Sequence, residues 1–306
     1  PGTLAHIPRE QYIENAQSRL DALSLDPDAC LEIGQSFLAD DMPELAESLV
    51  HRCEGEYGAC AQALLLKGML ERYHFNFAAA ERNVRKSLEK EDMAEAHLEL
   101  ARILLLDSTR ALEDGEVPQE LVEEAQQHLR LAIDRDPNLF ESIKLLMEPY
   151  WEEGVDAVAE AIRPIIKTYP HAWGPWRVLG DAYAVSGQYE QALKCYRRGL
   201  KIAEVDQLIY PTMEVISEAG MDQDLVQFAQ RIRHLEDRDP QVRWRVAQIL
   251  FEAQKLRKSR RILQNLVDDD RVPPPLRQRA NEILDHMDAI ERKRAKARQK
   301  PKDPEK

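Results

Sequence analysis

Glycine is scarce in these 306 residues, at 12, and aromatic side chains make up only 6%. Both shortages argue against a β-rich fold and against enzymes that cradle phosphates in glycine loops. Four cysteines cannot frame a disulfide scaffold in a chain of this length. No segment reaches the roughly 18–20 consecutive apolar residues that cross a bilayer. The chain starts without Met and without a basic-then-apolar leader, so a processed start is expected. A membrane is therefore not indicated. The cytoplasm is the default compartment, with the periplasm as the alternative if an upstream signal has been removed. Basic charge is also short: 42 Lys plus Arg face 55 Asp plus Glu, a formal net charge of -13. Nucleic acids are gripped through neutralised phosphates, so the body of the chain is ill suited to them. What is plentiful is Ala, Leu, Glu, Arg and Gln, all good helix formers, within a hydrophobic content of 43% that suffices for a packed core.

Catalytic patterns are missing as well. There is no H-E-x-x-H, G-x-S-x-G or C-x-x-C, and the eight histidines lie scattered without metal-ligand spacing. The acidic runs Asp40-Asp41 and Asp268-Asp269-Asp270 suit turns and caps. Catalytic, cofactor and metal residues are accordingly expected to be none, and the chain is read as not an enzyme. Cys30 and Cys53 begin and end two consecutive helices, which makes them neighbours, either as small buried packing or as a disulfide.

A repeat of 34 residues organises the chain. Its clearest copy is Trp176-x-x-Leu179-Gly180-x-x-Tyr183, followed by Gly187-x-Tyr189, Ala192 and Tyr196. Trp176, Leu179 and Tyr183 share one face of a helix. Gly187 breaks the chain, and Ala192 and Tyr196 line a second helix. Gly180 and Ala192 are small where the two helices must approach closely. The same spacing of 12 recurs at Gly34 with Ala46 and at Gly68 with Ala80. It returns more loosely at Ser217 with Ala229 and at Ala247 with Ser259. Leu146 and Val158 are bulky at the matching places. Asp136-Pro137, Tyr169-Pro170 and Asp239-Pro240 mark helix ends, because proline disfavours helix in the residue before it. Between Ala101 and Ala125 the spacing is 24, so an insertion is expected as a surface loop over about 107–120.

This pattern resembles the tetratricopeptide repeat, a helix–turn–helix unit. The expected architecture is an all-α, right-handed α-solenoid of about seven such repeats over 27–272. A capping helix precedes it within 1–26, at Gln11–Leu23. Another follows within 273–292, after Pro273-Pro274-Pro275 and starting at Leu276. Residues 293–306 are a basic tail, solvated or touching an anionic partner; 291–306 carry eight basic and three acidic side chains.

The resemblance implies a concave surface lined by the first helices. The residues it places there are Leu65, Met69, Arg72, Tyr73, Leu98, Arg102, Leu105, Ile143, Met147, Tyr150, Trp151 and Arg177, with Phe140 at the rim. Apolar, Met- and aromatic-bearing floors suit an amphipathic helix or apolar peptide, and the arginines suit its acidic residues. The same stripe is also what internal packing or a homo-oligomer would use. Some family members grip a peptide carboxylate with Lys and Asn. The corresponding places here are Leu31, Gln35, Leu65, Leu66, Leu98 and Arg102, which do not reproduce that clamp. The function expected is a non-enzymatic scaffold or adaptor for a protein or peptide. The alternatives are a self-assembling module or the regulatory part of a larger enzyme or secretion complex.

Overall fold

The computed structural model describes Gln17, Leu20 and residues 25–111, 118–269 and 272–299, with side chains omitted at 107–111 and 293–299. Apart from Gln17 and Leu20, the expected helix at 11–23, together with the centre of the insertion and the chain's last residues, lies outside the described residues. The chain divides into two compact units, Pro1–Pro149 and Tyr150–Lys306. Among the described residues there are α-helices and one short 3-10 turn, and no strand.

The first unit is built of helix pairs: α1 (Pro27–Ala39) with α2 (Pro43–Tyr57), α3 (Ala61–Tyr73) with α4 (Phe77–Lys90), and α5 (Ala94–Ala111) with α6 (Gln119–Arg135). α7 (Phe140–Trp151) carries Pro149 inside it, and the division between units falls directly after that proline. The start of α1 shows the local logic. Asp26 accepts a hydrogen bond from the Ala29 N–H at 2.8 Å, and Pro27 takes the first position, where no N–H is needed.

α3 differs from its neighbours in being apolar on nearly every face, as Ala61, Ala63, Leu64, Leu65, Leu66, Met69 and Leu70 are all buried. A helix of that kind belongs inside. It packs on α1, α2, α4 and α5 at the centre of a core that runs through Leu49, Val50, Val84, Leu100 and Leu129. The small-residue rule operates where α3 meets α4. A Cβ at Gly68 would come within 2.5 Å of Val84 Cγ2 and 3.2 Å of the Ala80 carbonyl oxygen. The insertion is not all loop. It lengthens α5 to 18 residues and α6 to 17, against 13 and 14 for α3 and α4, so much of the extra chain continues the helices.

A polar seam joins α5 to α6. The sequence scatters its histidines, yet His97 and His128 meet, with Nδ1 to Nδ1 at 2.8 Å and rings stacked at 5.0 Å. His97 Nε2 stands 2.8 Å from Asp92, whose carboxyl is held low by hydrogen bonds from Arg135 and His97. Glu124, ion-paired to Arg85 at 2.7 Å, lies 3.9 Å from His128 Nε2. An Nδ1–Nδ1 hydrogen bond needs one donor and one acceptor, so the contact excludes two imidazolium rings. Burial, and then the neighbouring His97, lower the His128 pKa. A base depressed in the folded state binds its proton more readily when unfolded. The first unit should therefore be most stable above the ordinary histidine value of about 6.5 and lose stability as pH falls below it. Thermal melts should show a falling melting temperature between pH 7 and 5 that His128→Gln flattens. Equal pH slopes in the two proteins would contradict this.

The second unit contains α8 (Val155–Thr168), α9 (Gly174–Val185) paired with α10 (Tyr189–Ile202), α11 (Asp206–Glu218) with α12 (Asp222–Arg231), and α13 (Pro240–Glu252) with α14 (Leu256–Asp268). α15 (Pro274–Gln299) packs on α14 as a terminal helix and continues well beyond the expected end of the cap. Among the described residues, three packed helix pairs lie in each unit, with α7 and α8 following one another between them in the chain. The Tyr196 ring occupies the space that the missing Gly180 side chain leaves. At the loosest of the small pairs, Ser259 is buried and its Oγ–H donates to the Ala247 carbonyl at 2.8 Å, so the hydroxyl costs nothing there.

Candidate partner-binding face

The residues expected on a groove floor separate by burial. Leu65, Met69 and Leu98 are buried in the core of the first unit. Ile143 and Met147 are buried as well. The physical reason is plain for α3 and the first half of α5, whose apolar residues face several neighbouring helices at once. As structured, these five side chains offer no surface to a ligand. Arg72, Tyr73, Arg102, Leu105, Phe140 and Trp151 are half-buried, and Tyr150 is exposed.

Arg72 and Arg102 converge on Glu99, a residue that sequence reasoning missed. Glu99 is fully buried on α5. Its Oε1 accepts a hydrogen bond from Arg72 Nε, and its Oε2, 3.7 Å from the Arg102 guanidinium, has no hydrogen-bond partner. A buried carboxylate needs compensation, and here two cations supply it from the side chains of α3 and α5. The two arginine side chains remain 29% and 34% exposed, and with Glu99 the cluster carries a net charge of +1. Beside Arg102, one helical turn on, Leu105 is half-buried and Leu106 is 41% exposed. Tyr73, adjacent to Arg72, hydrogen-bonds through its hydroxyl to the Asp41 carboxylate. The one available sequence signal was Glu99 and Arg102 at i,i+3, a spacing shared by many solvated helix pairs.

In the second unit Arg177 is engaged internally. Its Nε donates to Asp181 at 2.7 Å and its Nη1 to the Gln207 carbonyl, so it ties α9 to α11. Asp181 also accepts the Tyr196 hydroxyl at 2.6 Å. His234, Glu236 and Asp237 bring one possible ligand atom each within 4.8 Å of one another, and all three are exposed.

The helix pair α9–α10 carries Trp176 stacked under the Arg198 guanidinium, 4.7 Å from the ring centroid, with Gly180 against Tyr196 and a left-handed Gly187 in the turn. The family model described as tetratricopeptide repeat matches residues 174–204. This segment is a tetratricopeptide repeat. The other pairs share its helix–turn–helix build. No curated protein sequence matches the chain.

Several solved structures are similar at low identity. Yeast Tom70 is 14% identical, with 91% of this chain and 68% of that one covered and a TM-score of 0.44. The Cut9–Hcn1 hetero-tetramer of the APC/C is 11% identical, covering 86% and 50%, at 0.40. The C-terminal part of a TPR repeat-containing protein from Cytophaga hutchinsonii is 10% identical, covering 80% and 97%, at 0.38.

Proposed function

We propose that the chain is a non-enzymatic protein-binding scaffold whose first unit receives an acidic, amphipathic segment of a partner protein. The observation that carries this reading is the convergence of Arg72 and Arg102 on one buried carboxylate. It leaves two partly exposed arginine side chains fixed on rigid helices, next to Tyr73, Leu105 and the exposed Leu106. A partner carboxylate would add charge-assisted hydrogen bonds to donors that are already held in place. An apolar residue one turn along the partner helix would cover Leu105 and Leu106. Because the donors sit on packed helices, little ordering entropy opposes binding. Leu65, Met69 and Leu98 serve this reading as the packed support beneath α3 and α5.

The test is a paired capture from native lysate, wild type against Arg102→Glu combined with Leu106→Asp, with mass spectrometric identification. Arg102→Glu also removes one of the two cations that compensate Glu99, so the melting temperature of the variant is measured beside the capture, and Leu106→Asp alone, at an exposed position, is the folded control. A charge-assisted contact contributes about 1.5–3 kcal/mol, so a true partner should weaken by more than about tenfold. A partner retained equally by a folded variant would place the binding surface elsewhere.

A further inference from the structure

The first unit holds three of the four cysteines together. Cys30 lies on α1, Cys53 near the end of α2, and Cys60 at the N-cap of α3. The short turn between α2 and α3 brings the last two into contact. Gly58 ends α2 with its N–H donating to the Glu54 carbonyl at 2.9 Å. Its left-handed φ of 70° reverses the chain, and the Cys60 N–H donates back to the Gly58 carbonyl at 2.8 Å. Cys53 Sγ and Cys60 Sγ stand 3.6 Å apart. The Cys60 side chain makes no capping hydrogen bond, which leaves its thiol facing Cys53. Sequence reasoning paired Cys30 with Cys53 and left out Cys60; the seven-residue spacing across Gly58 was the missed signal. All four cysteines are free thiols.

We infer that Cys53 and Cys60 are a peroxide-responsive dithiol that closes a disulfide across the α2–α3 turn. Their exposures assign the order of events. Cys53 is buried, and burial, reinforced by Cys60, raises its pKa, whereas Cys60 is half-exposed and within reach of a small oxidant. Cys60 attacks hydrogen peroxide, breaking its O–O bond to give the sulfenic acid and one water. The Cys53 sulfur then attacks the sulfenyl sulfur, expelling the hydroxyl with the thiol proton as a second water and forming the S–S bond. Two thiols are oxidised and one peroxide is reduced. Closing the bond shortens the sulfur separation from 3.6 Å to about 2.05 Å. The bond would fix the end of α2 to the start of α3 and so clamp the first repeat to the second. Cys30, buried in the same core cluster as Cys53, is the competing partner.

The test exposes the native chain to hydrogen peroxide and maps the products by mass spectrometry and thiol alkylation. The expected result is loss of two hydrogens and of two alkylatable thiols, with a reducible crosslink joining Cys53 to Cys60. Cys30→Ser should form the same crosslink and Cys60→Ser none. A Cys30–Cys53 crosslink in the wild type would overturn the assignment. So would a Cys60 sulfinic acid accumulating while Cys53 still alkylates, or a crosslink no faster than in urea.

Discussion

Leu65→Asp is expected to unfold the first unit, not to weaken a ligand surface. Leu65 is completely buried on a helix packed by neighbours on several sides. Removing most of such a side chain costs about 2–5 kcal/mol through lost transfer energy and the cavity left behind. Placing an unpaired carboxylate there adds several kcal/mol more, since the ion loses its hydration and gains no partner. A domain is stable by only about 5–15 kcal/mol in total. Circular dichroism should show loss of helix from the first unit at room temperature, while Leu65→Met, which conserves volume, melts close to wild type. A Leu65→Asp protein with wild-type melting would mean that the residue faces solvent and that the groove floor was correctly assigned from its helical position.

Tyr196→Ala is the second large effect, and it belongs to the second unit. Tyr196 is among the largest fully buried side chains, its ring lies against Gly180, and its hydroxyl donates to Asp181. Truncation of a buried aromatic costs about 3–5 kcal/mol. The change also leaves Asp181 to Arg177 alone among the two contacts described above. Tyr196→Phe isolates the hydroxyl and should cost about 1 kcal/mol. The ordering Ala far below Phe in denaturant midpoint tests whether the ring's packing dominates. Equal losses would show instead that the hydrogen bond to Asp181 carries the stability.

Much of the fold was legible because each repeat writes its own packing locally. Gly180 with Tyr196 and Gly68 with Ala80 act within one helix pair, and Asp136-Pro137 follows the end of α6 at Arg135, all within the reach of sequence periodicity. Asp239-Pro240, expected at a helix end, instead opens α13, with Asp239 as its cap and Pro240 at its first position. The binding face was not legible to the same degree. Helical position says which residues share a stripe, but whether Leu65, Met69 and Leu98 face a ligand depends on how neighbouring helices cover them. A clue was present: the run Ala61–Leu70 is apolar on almost every face, and such a helix is covered all round. Glu99 and the His97–His128 pair escaped for the opposite reason. A polar residue in a helix reads as solvated unless its partners are known, and here those partners lie 27 residues away at Arg72 and 31 away across the α5–α6 hairpin. The insertion misled because a longer spacing between small residues looks the same whether the extra chain loops out or extends both helices.

The central claim is that the Arg72–Glu99–Arg102 cluster with Leu105 and Leu106 selects acidic amphipathic segments. The most direct measurement is selection from a displayed library of random peptides on the folded chain, repeated on Arg102→Glu. The account predicts that wild type enriches sequences with acidic residues and apolar residues one helical turn apart, and that the variant loses them. Enrichment of the same sequences by both proteins, or of basic ones by the wild type, would contradict it.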